Sequence, residues 1–256
     1  MSPAGDITAV IAALALPPDA LVDRRVPKKL FMEQGAPTAA DKRQIQDGIE
    51  EVMWVAALKP NNIGVPAFRD DVREYLEIAV ITAVLRSGAK STRLTELIHR
   101  AIPYPVVLVS AQGAGVSLSL AHKRWSQGEA GEVVIEEVRR TAPLRPDSPT
   151  ANEAAFLVSL ALSGLPTRDL YALYQGWLDR VTSLEAATIT GAFALPDTAE
   201  RAVAQRDALA AHARLQRAIA TLRAQAEREK QVNRRVEVNL AIKRLETELA
   251  ATTKAL

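Results

Sequence analysis

The segments EYLEIAVITAVL (74–85), STRLTELIHRA (91–101), VVLVS (106–110), AQGAG (111–115) and VSLSLAH (116–122) decide the fold class. The first is apolar at its centre on both faces, as in a central strand covered from both sides. The second reads as a helix that Pro103 and Pro105 terminate. The third is a short buried strand, the fourth a tight turn, and the fifth alternates as a hairpin partner. Strand, helix, strand and hairpin in that order predict an α/β (α+β) domain, a small mixed sheet flanked by helices.

Outward from this centre, Ile7 to Leu16 reads as a short apolar helix stopped by Pro17-Pro18. Residues 21–31, LVDRRVPKKLF, read as extended or irregular chain. Thr38-Ala39-Ala40-Asp41 opens a helix with Ile45, Ile49, Val52, Met53, Ala56 and Ala57 on one face, closed by Lys59-Pro60-Asn61-Asn62. Residues 132–139 read as a fourth strand, 141–150 (TAPLRPDSPT) as a Pro-rich linker, and 151–164 and 167–187 as helices.

The chain changes character at Pro196. All 14 prolines, all 12 glycines and every aromatic residue lie at or before it, and the 60 residues that follow contain none. Asp197 to Leu256 is rich in strong helix formers, with Asp197 or Thr198 as N-cap. One helix of this length would run about 90 Å, too long for a domain of this size to bury. Leu215, Ile219, Leu222 and Ala226 follow a 4-3-4 step, as do Val238, Ile242, Leu245 and Leu249, and both sets read as coiled-coil seams. Ala226 and Val238 are out of one heptad frame, with Glu229, Gln231 and Asn233 between them. A stutter in one helix or a two-helix hairpin both satisfy this; without Gly or Pro, one long helix with a stutter is the favoured form. The expected organisation is an α/β domain over 1–145, a helical connector over 146–196 and a long coiled-coil helix over 197–256.

Composition narrows the chemistry. The 256 residues hold 32 basic and 30 acidic side chains, 3 histidines and no cysteine. Without Cys there is no disulfide framework, thiolate nucleophile or iron–sulfur cluster. No apolar run reaches the ~18 residues of a membrane span, and the N-terminus lacks the basic n-region of a secretory signal, so a cytoplasmic location without membrane contact is expected. The near-neutral total hides a division: residues 197–256 carry 12 basic and 8 acidic groups, whereas the preceding 196 carry 20 and 22. No P-loop, dinucleotide fingerprint, nucleophile elbow or paired-histidine zinc motif occurs.

Three clusters remain. His99 and Arg100 end a helix, and His122, Lys123 and Arg124 end a strand that hairpin pairing brings towards it. With Tyr104 and Trp125 they would form a basic, aromatic pocket suited to phosphate contacts and base stacking; the plainer reading is a helix cap and a hairpin end with local charges. Arg24, Arg25, Lys28 and Lys29 give four cations in six residues, a second candidate for phosphate contact. Asp70 and Asp71 precede the central strand, and Glu74 and Glu77 flank its start. As a metal-dependent nuclease, Asp70, Glu74 and Glu77 would hold magnesium while His99 or Lys123 steadied the phosphate or water. Glu74 and Glu77 would face opposite sides of one strand, however, and no Glu-x-Lys follows, so a strand-end charge cluster is the simpler reading. Three scattered histidines make no metal site, and His212 reads as a solvated surface residue.

The segments RRVPKKLFMEQG, DKRQIQDGIEEVMWVAALKPNNIGVP, REYLEIAVI, ELIHRAIPYPVVLV, LSLAHKR and QVNRRVEVNLAIKRLETEL occur in this order. They resemble the bacterial family of domain of unknown function 4391, over nearly the whole chain. That resemblance implies a genomic setting beside helicase-like ATPases and DNA methyltransferases, in restriction or antiphage defence islands. It carries no catalytic residues. The expected function is therefore an accessory subunit of a bacterial DNA-targeting defence system. It would need no cofactor, bind DNA or RNA or a helicase or methyltransferase partner of the same operon, and assemble as a homo-oligomer through its C-terminal coiled coil. The alternatives are the magnesium nuclease above and a regulatory protein that binds another protein.

Overall fold

Gly48 marks the point where helix gives way to strand. The structure, a computed structural model, describes residues 3–126, 128 and 133–256. Helix α1 spans Pro3–Ala13, strand β1 Leu21–Arg25, α2 Lys28–Gln34 and α3 Ala39–Gly48. Lys28 and Lys29, read as irregular chain, thus open a helix behind Pro27, whose extended ψ and fixed φ suit an N-cap. Thr38 caps α3 as expected, its Oγ1 accepting from the Asp41 N–H at 3.1 Å.

After Gly48 the backbone turns extended at Ile49 and runs as β2, Ile49–Leu58, where a continuing helix was expected. The reason lies in the pairing. β2 runs antiparallel to β5, Ile78–Leu85, with irregularities between Ile49 and Glu51 and between Trp54 and Ala56. Each bulge shifts the alternation by one residue. Ile49, Val52 and Ala56 are therefore buried at three- and four-residue steps that imitate a helix face. Lys59-Pro60-Asn61-Asn62 closes this strand, with α4 at Pro60–Ile63.

β3, Phe68–Arg69, and β4, Glu74–Tyr75, form a two-stranded ribbon. The segment expected as one strand from Glu74 to Leu85 is thereby divided between β4 and β5. Helix α5, Ser91–Ala101, links β5 to β6, Val106–Gln112, and those strands are parallel. β7, Gly115–Leu120, returns antiparallel through a turn in which Gly113 has φ +60°, a conformation Gly adopts freely. β8, Lys123–Trp125, pairs with β9, Val133–Ile135, while β10, Arg139–Arg140, joins the main sheet beside β7. Glu132, the first residue of the expected strand at 132–139, lies outside the described residues. The described sheet has the order β1-β2-β5-β6-β7-β10 and is mixed, since β5–β6 is its parallel pair.

β5 is the inner strand the sequence predicted, with seven of its eight residues buried. On one face Ile81, Ala83, Leu85 and Leu108 pack with Phe31 of α2, Ile45 of α3 and Leu94, Leu97 and Ile98 of α5. α5 is tied to α3 by Arg93, whose Nε and Nη2 donate to the Asp41 carboxylate at 2.8 and 3.0 Å. That pair, with Thr38, holds the Asp41 carboxyl down at about 2. α1 lies against β5, β6 and β7.

α6 spans Ala151–Ser159 and α7 spans Leu170–Thr190. The chain divides within α7 into one compact unit ending at Val181 and another, Thr182–Leu256. In the first, Trp177 is buried and donates its indole N–H to the Leu160 carbonyl at 3.0 Å. Arg180 satisfies the carbonyls of Ser159, Gly176 and Gly164 at 2.6–2.8 Å.

In the second unit a long helix exists, α8, Ala199–Arg228, capped by Thr198 as expected. It does not continue to the C-terminus. The chain breaks at 229–231 and resumes as α9, Val232–Lys254, so the hairpin alternative holds. The break uses the polar gap rather than Gly or Pro: the Glu229 carboxylate accepts from the Gln231 N–H at 2.8 Å, a side-chain bond that competes with helical pairing. The helices pack antiparallel, with Arg223–Glu246 at 2.6 Å and Arg214–Glu248 at 3.9 Å. Leu215, Ile219 and Ile242 are buried, and Leu222, Val238, Leu245 and Leu249 are half-buried. His212 is buried, not solvated as expected. It falls on the α8 stripe of Leu209, Leu215 and Ile219, spaced three to four residues apart.

Candidate functional site

The C-terminal end of α5 creates a local shortage of donors. A helix leaves its last carbonyls unpaired, and the chain leaves α5 extended at Ile102 and enters the proline-containing loop Pro103-Tyr104-Pro105. Lys123, arriving from β8, supplies the donors. Its Nζ donates to the His99 carbonyl at 2.6 Å and to the Ile102 carbonyl. The side chain is 3% exposed, and burial pushes its ammonium down to about 7. A cation at a helix C-terminus also meets the favourable end of the dipole.

His99 lies beneath this contact, fully buried. Its Nε2 is 3.1 Å from Ser119 Oγ, and its Nδ1 has no hydrogen-bond partner. Burial, then the charge of Lys123, pushes its imidazole down to about 3. His99 is thus a neutral internal residue rather than a surface cation. A linkage follows. The unfolded imidazole takes up a proton below its ordinary value of 6.5 and the folded one does not, so stability is full above 6.5 and falls as pH drops towards 3. Each pH unit in that window costs about 1.4 kcal/mol per such group. Chemical denaturation of His99→Gln at pH 7 and pH 4.5 is expected to show a weaker acid loss than the unaltered protein. An equal loss would contradict the assignment.

His122, just before β8, is held by a different set. Gln175 offers Nε2 to Asp179 at 2.8 Å, so its Oε1 accepts from His122 Nε2, also at 2.8 Å. On its other side, His122 Nδ1 is hydrogen-bonded with the Tyr75 hydroxyl. Tyr75 is buried, which pushes its phenol well above the usual range. Phe68, Tyr75, Tyr171, Tyr174 and His122 stack around this chain with ring centroids 4.9–6.5 Å apart. His122 is a structural junction of β4, α7 and the β7–β8 link.

Over these buried groups lies a groove of about 210 Å³, lined by Arg73, Leu76, Tyr104, Lys123, Arg124 and Trp125, with Glu74, Pro103, Pro105 and Val133 completing its walls. Asp70 positions Arg73: its Oδ1 accepts from the N–H groups of Val72 and Arg73 at 2.8 and 2.7 Å, forming a tight turn. The Arg73 guanidinium then lies 5.2 Å from the Tyr171 ring centroid and 3.2 Å from Glu136. Trp125 is anchored through its backbone N–H to the Val72 carbonyl at 2.8 Å. Tyr104 is 42% exposed and Leu76 52% exposed, an apolar and aromatic surface open to solvent.

The structure therefore brings Tyr104, Lys123, Arg124 and Trp125 to one groove, with His99 buried behind it and His122 in the adjoining network. Arg100 lines a separate depression with Glu96 and Arg140, and pairs with Glu96 at 3.3 Å. Arg24, Arg25, Lys28 and Lys29 lie on β1 and the start of α2, at the edge of the sheet and outside the groove lining. There Arg25 meets Glu51 at 3.6 Å, Lys29 meets Glu33 at 3.5 Å, and Lys28 donates to the Gln46 carbonyl at 3.2 Å.

The acids take separate partners. Glu74 pairs with Arg69 at 3.1 Å, Glu77 with Lys59 at 2.9 Å, and Asp70 serves its own turn. Among the described residues no three His, Asp or Glu side chains are grouped to hold a metal. Sequence reasoning missed Arg73 and Leu76. The turn-forming Asp70 three residues ahead was a local signal for Arg73, but its approach to β8 is long-range.

The fold and groove define a class: a mixed α/β protein with a cationic, aromatic cleft at the end of the β5–α5–β6 unit and a helical pair at its C-terminus. The chain belongs to the family described as Domain of unknown function (DUF4391), whose model matches residues 14–249. No curated protein and no solved structure matches it. No helix among the described residues is long and apolar enough to cross a membrane.

Proposed function

We propose that the protein is a cytoplasmic, non-enzymatic accessory subunit that binds nucleic acid in the groove of Arg73, Tyr104, Lys123, Arg124 and Trp125. The single observation that carries this reading is the convergence of the Arg73 and Arg124 guanidinium groups, exposed Tyr104 and half-buried Trp125 on one concave surface, with Lys123 buried at its floor. Cations contact phosphates and ring faces stack on bases, a combination that suits nucleic acid. Glu74 is the groove's acid, and Arg69 offsets it.

The setting, a bacterial antiphage or restriction-like system with a helicase-like ATPase or DNA methyltransferase as partner, rests on the family resemblance. Electrophoretic mobility shift with DNA and RNA at 50 and 200 mM salt tests the binding. Phosphate-driven affinity falls steeply over that range, roughly tenfold or more for a few neutralised phosphates. No shift at low salt with any single- or double-stranded probe would overturn the reading.

The α8–α9 pair is the proposed assembly element. Its inner seam is occupied by its own two helices, while Val232, Val236 and Leu240 recur every four residues on α9 and are 51–62% exposed. A second copy of the chain would cover them. Val236→Asp with Leu240→Asp is expected to lower self-association in sedimentation while leaving the helical circular-dichroism signal intact. A monomer for the unaltered protein at all concentrations would contradict assembly through this pair.

A further inference from the structure

We infer that the groove takes one unpaired nucleotide, so that the preferred partner is single-stranded nucleic acid, or a strand end or bulge, rather than continuous duplex. The inference rests on the nucleic-acid reading above and specifies its substrate. Its basis is the kind of surface the groove presents. Tyr104, Trp125, Pro103, Pro105, Leu76 and Val133 offer ring faces and aliphatic edges. Such groups gain from the flat face of a base. In a duplex those faces are stacked on neighbouring pairs, and a binder meets phosphates and base edges instead.

Size points the same way. About 210 Å³ is room on the scale of a single base. The polar groups are few and placed at one side. Arg124 donates locally to the Trp125 backbone carbonyl at 3.3 Å. Arg73 is fixed by Glu136 and Tyr171, and Lys123 is turned towards the α5 carbonyls. That leaves Arg124 as the cation with most freedom to reach a phosphate, next to an aromatic face.

The test is fluorescence anisotropy of the full chain with a labelled ten-nucleotide single strand and a blunt hairpin duplex of equal charge at one salt concentration. Single-strand binding is expected to be at least tenfold tighter. Tyr104→Ala, at an exposed position where folding is not at stake, is expected to weaken single-strand binding roughly 5- to 100-fold, the loss of one stacked base. It should leave duplex binding unchanged, and Tyr104→Phe should restore most of the affinity. Duplex binding as tight as single-strand binding, or an equal effect of Tyr104→Ala on both, would overturn this inference while leaving nucleic-acid binding in place. Failure of both probes to bind would overturn the broader reading with it.

Discussion

Lys123→Ala is expected to destabilise the folded protein by about 3 kcal/mol at pH 8, from two unpaired buried carbonyls and the space left by the side chain. The two carbonyls are those of His99 and Ile102 at the end of α5. Part of the loss is offset because the variant no longer has to desolvate and deprotonate a lysine on folding. Lys123→Met keeps the aliphatic stem and isolates the polar part, so its cost should be the smaller. The pH dependence has a definite sign. The folded amine is held near 7 while the unfolded one titrates at 10.5. Between those values the unfolded chain binds more protons, so stability rises with pH, by about 1.4 kcal/mol per unit at most. Below 7 both forms are protonated and the effect vanishes. Lys123→Ala removes the rise, so its cost should grow from pH 7 to pH 9 in urea denaturation. A cost that is flat or shrinking with pH would show that Lys123 is not buried as described.

Arg124→Glu is expected to lower nucleic-acid affinity by about 30-fold or more at low salt. It removes one phosphate partner and puts a like charge beside the others, and the slope of log affinity against log salt should drop by about one to two. Thermal melting should change little, since a partly exposed charge away from the core contributes little to stability. Lys29→Glu is the matched control: it lies in the other cationic cluster, already paired with Glu33. Titration of both variants with the same oligonucleotide distinguishes the two surfaces. A larger loss for Lys29→Glu than for Arg124→Glu would move the binding site to β1 and α2, and equal losses would deny the groove its leading role.

The parts of the fold that were legible in the sequence have local causes. α5 runs over the predicted residues because its apolar face and following prolines are contiguous. β5, β6 and β7 were readable from apolar runs and a glycine-bearing turn. β2 was not, because two bulges gave its buried residues helical spacing. The α8–α9 break was left open, because a Glu side chain rather than Gly or Pro ends the helix. In the site, cations and aromatic residues near strand ends pointed to Tyr104, Lys123, Arg124 and Trp125. What each cation does was hidden. Lys123 answers carbonyls more than twenty residues away, and His99 is neutral because of burial that LIHRAIPYP does not announce. The carboxylates looked like one cluster in sequence and are dispersed by their partners Arg69 and Lys59.

The most direct test of the proposed nucleic-acid groove is photo-cross-linking of a single-stranded oligonucleotide carrying bromouridine, followed by peptide mapping of the cross-linked protein. The groove predicts adducts in the peptides that contain Tyr104 and Trp125, lost on competition with unlabelled single strand. Adducts confined to peptides of residues 21–34 or of α8 and α9, or no competable adduct at all, would contradict it.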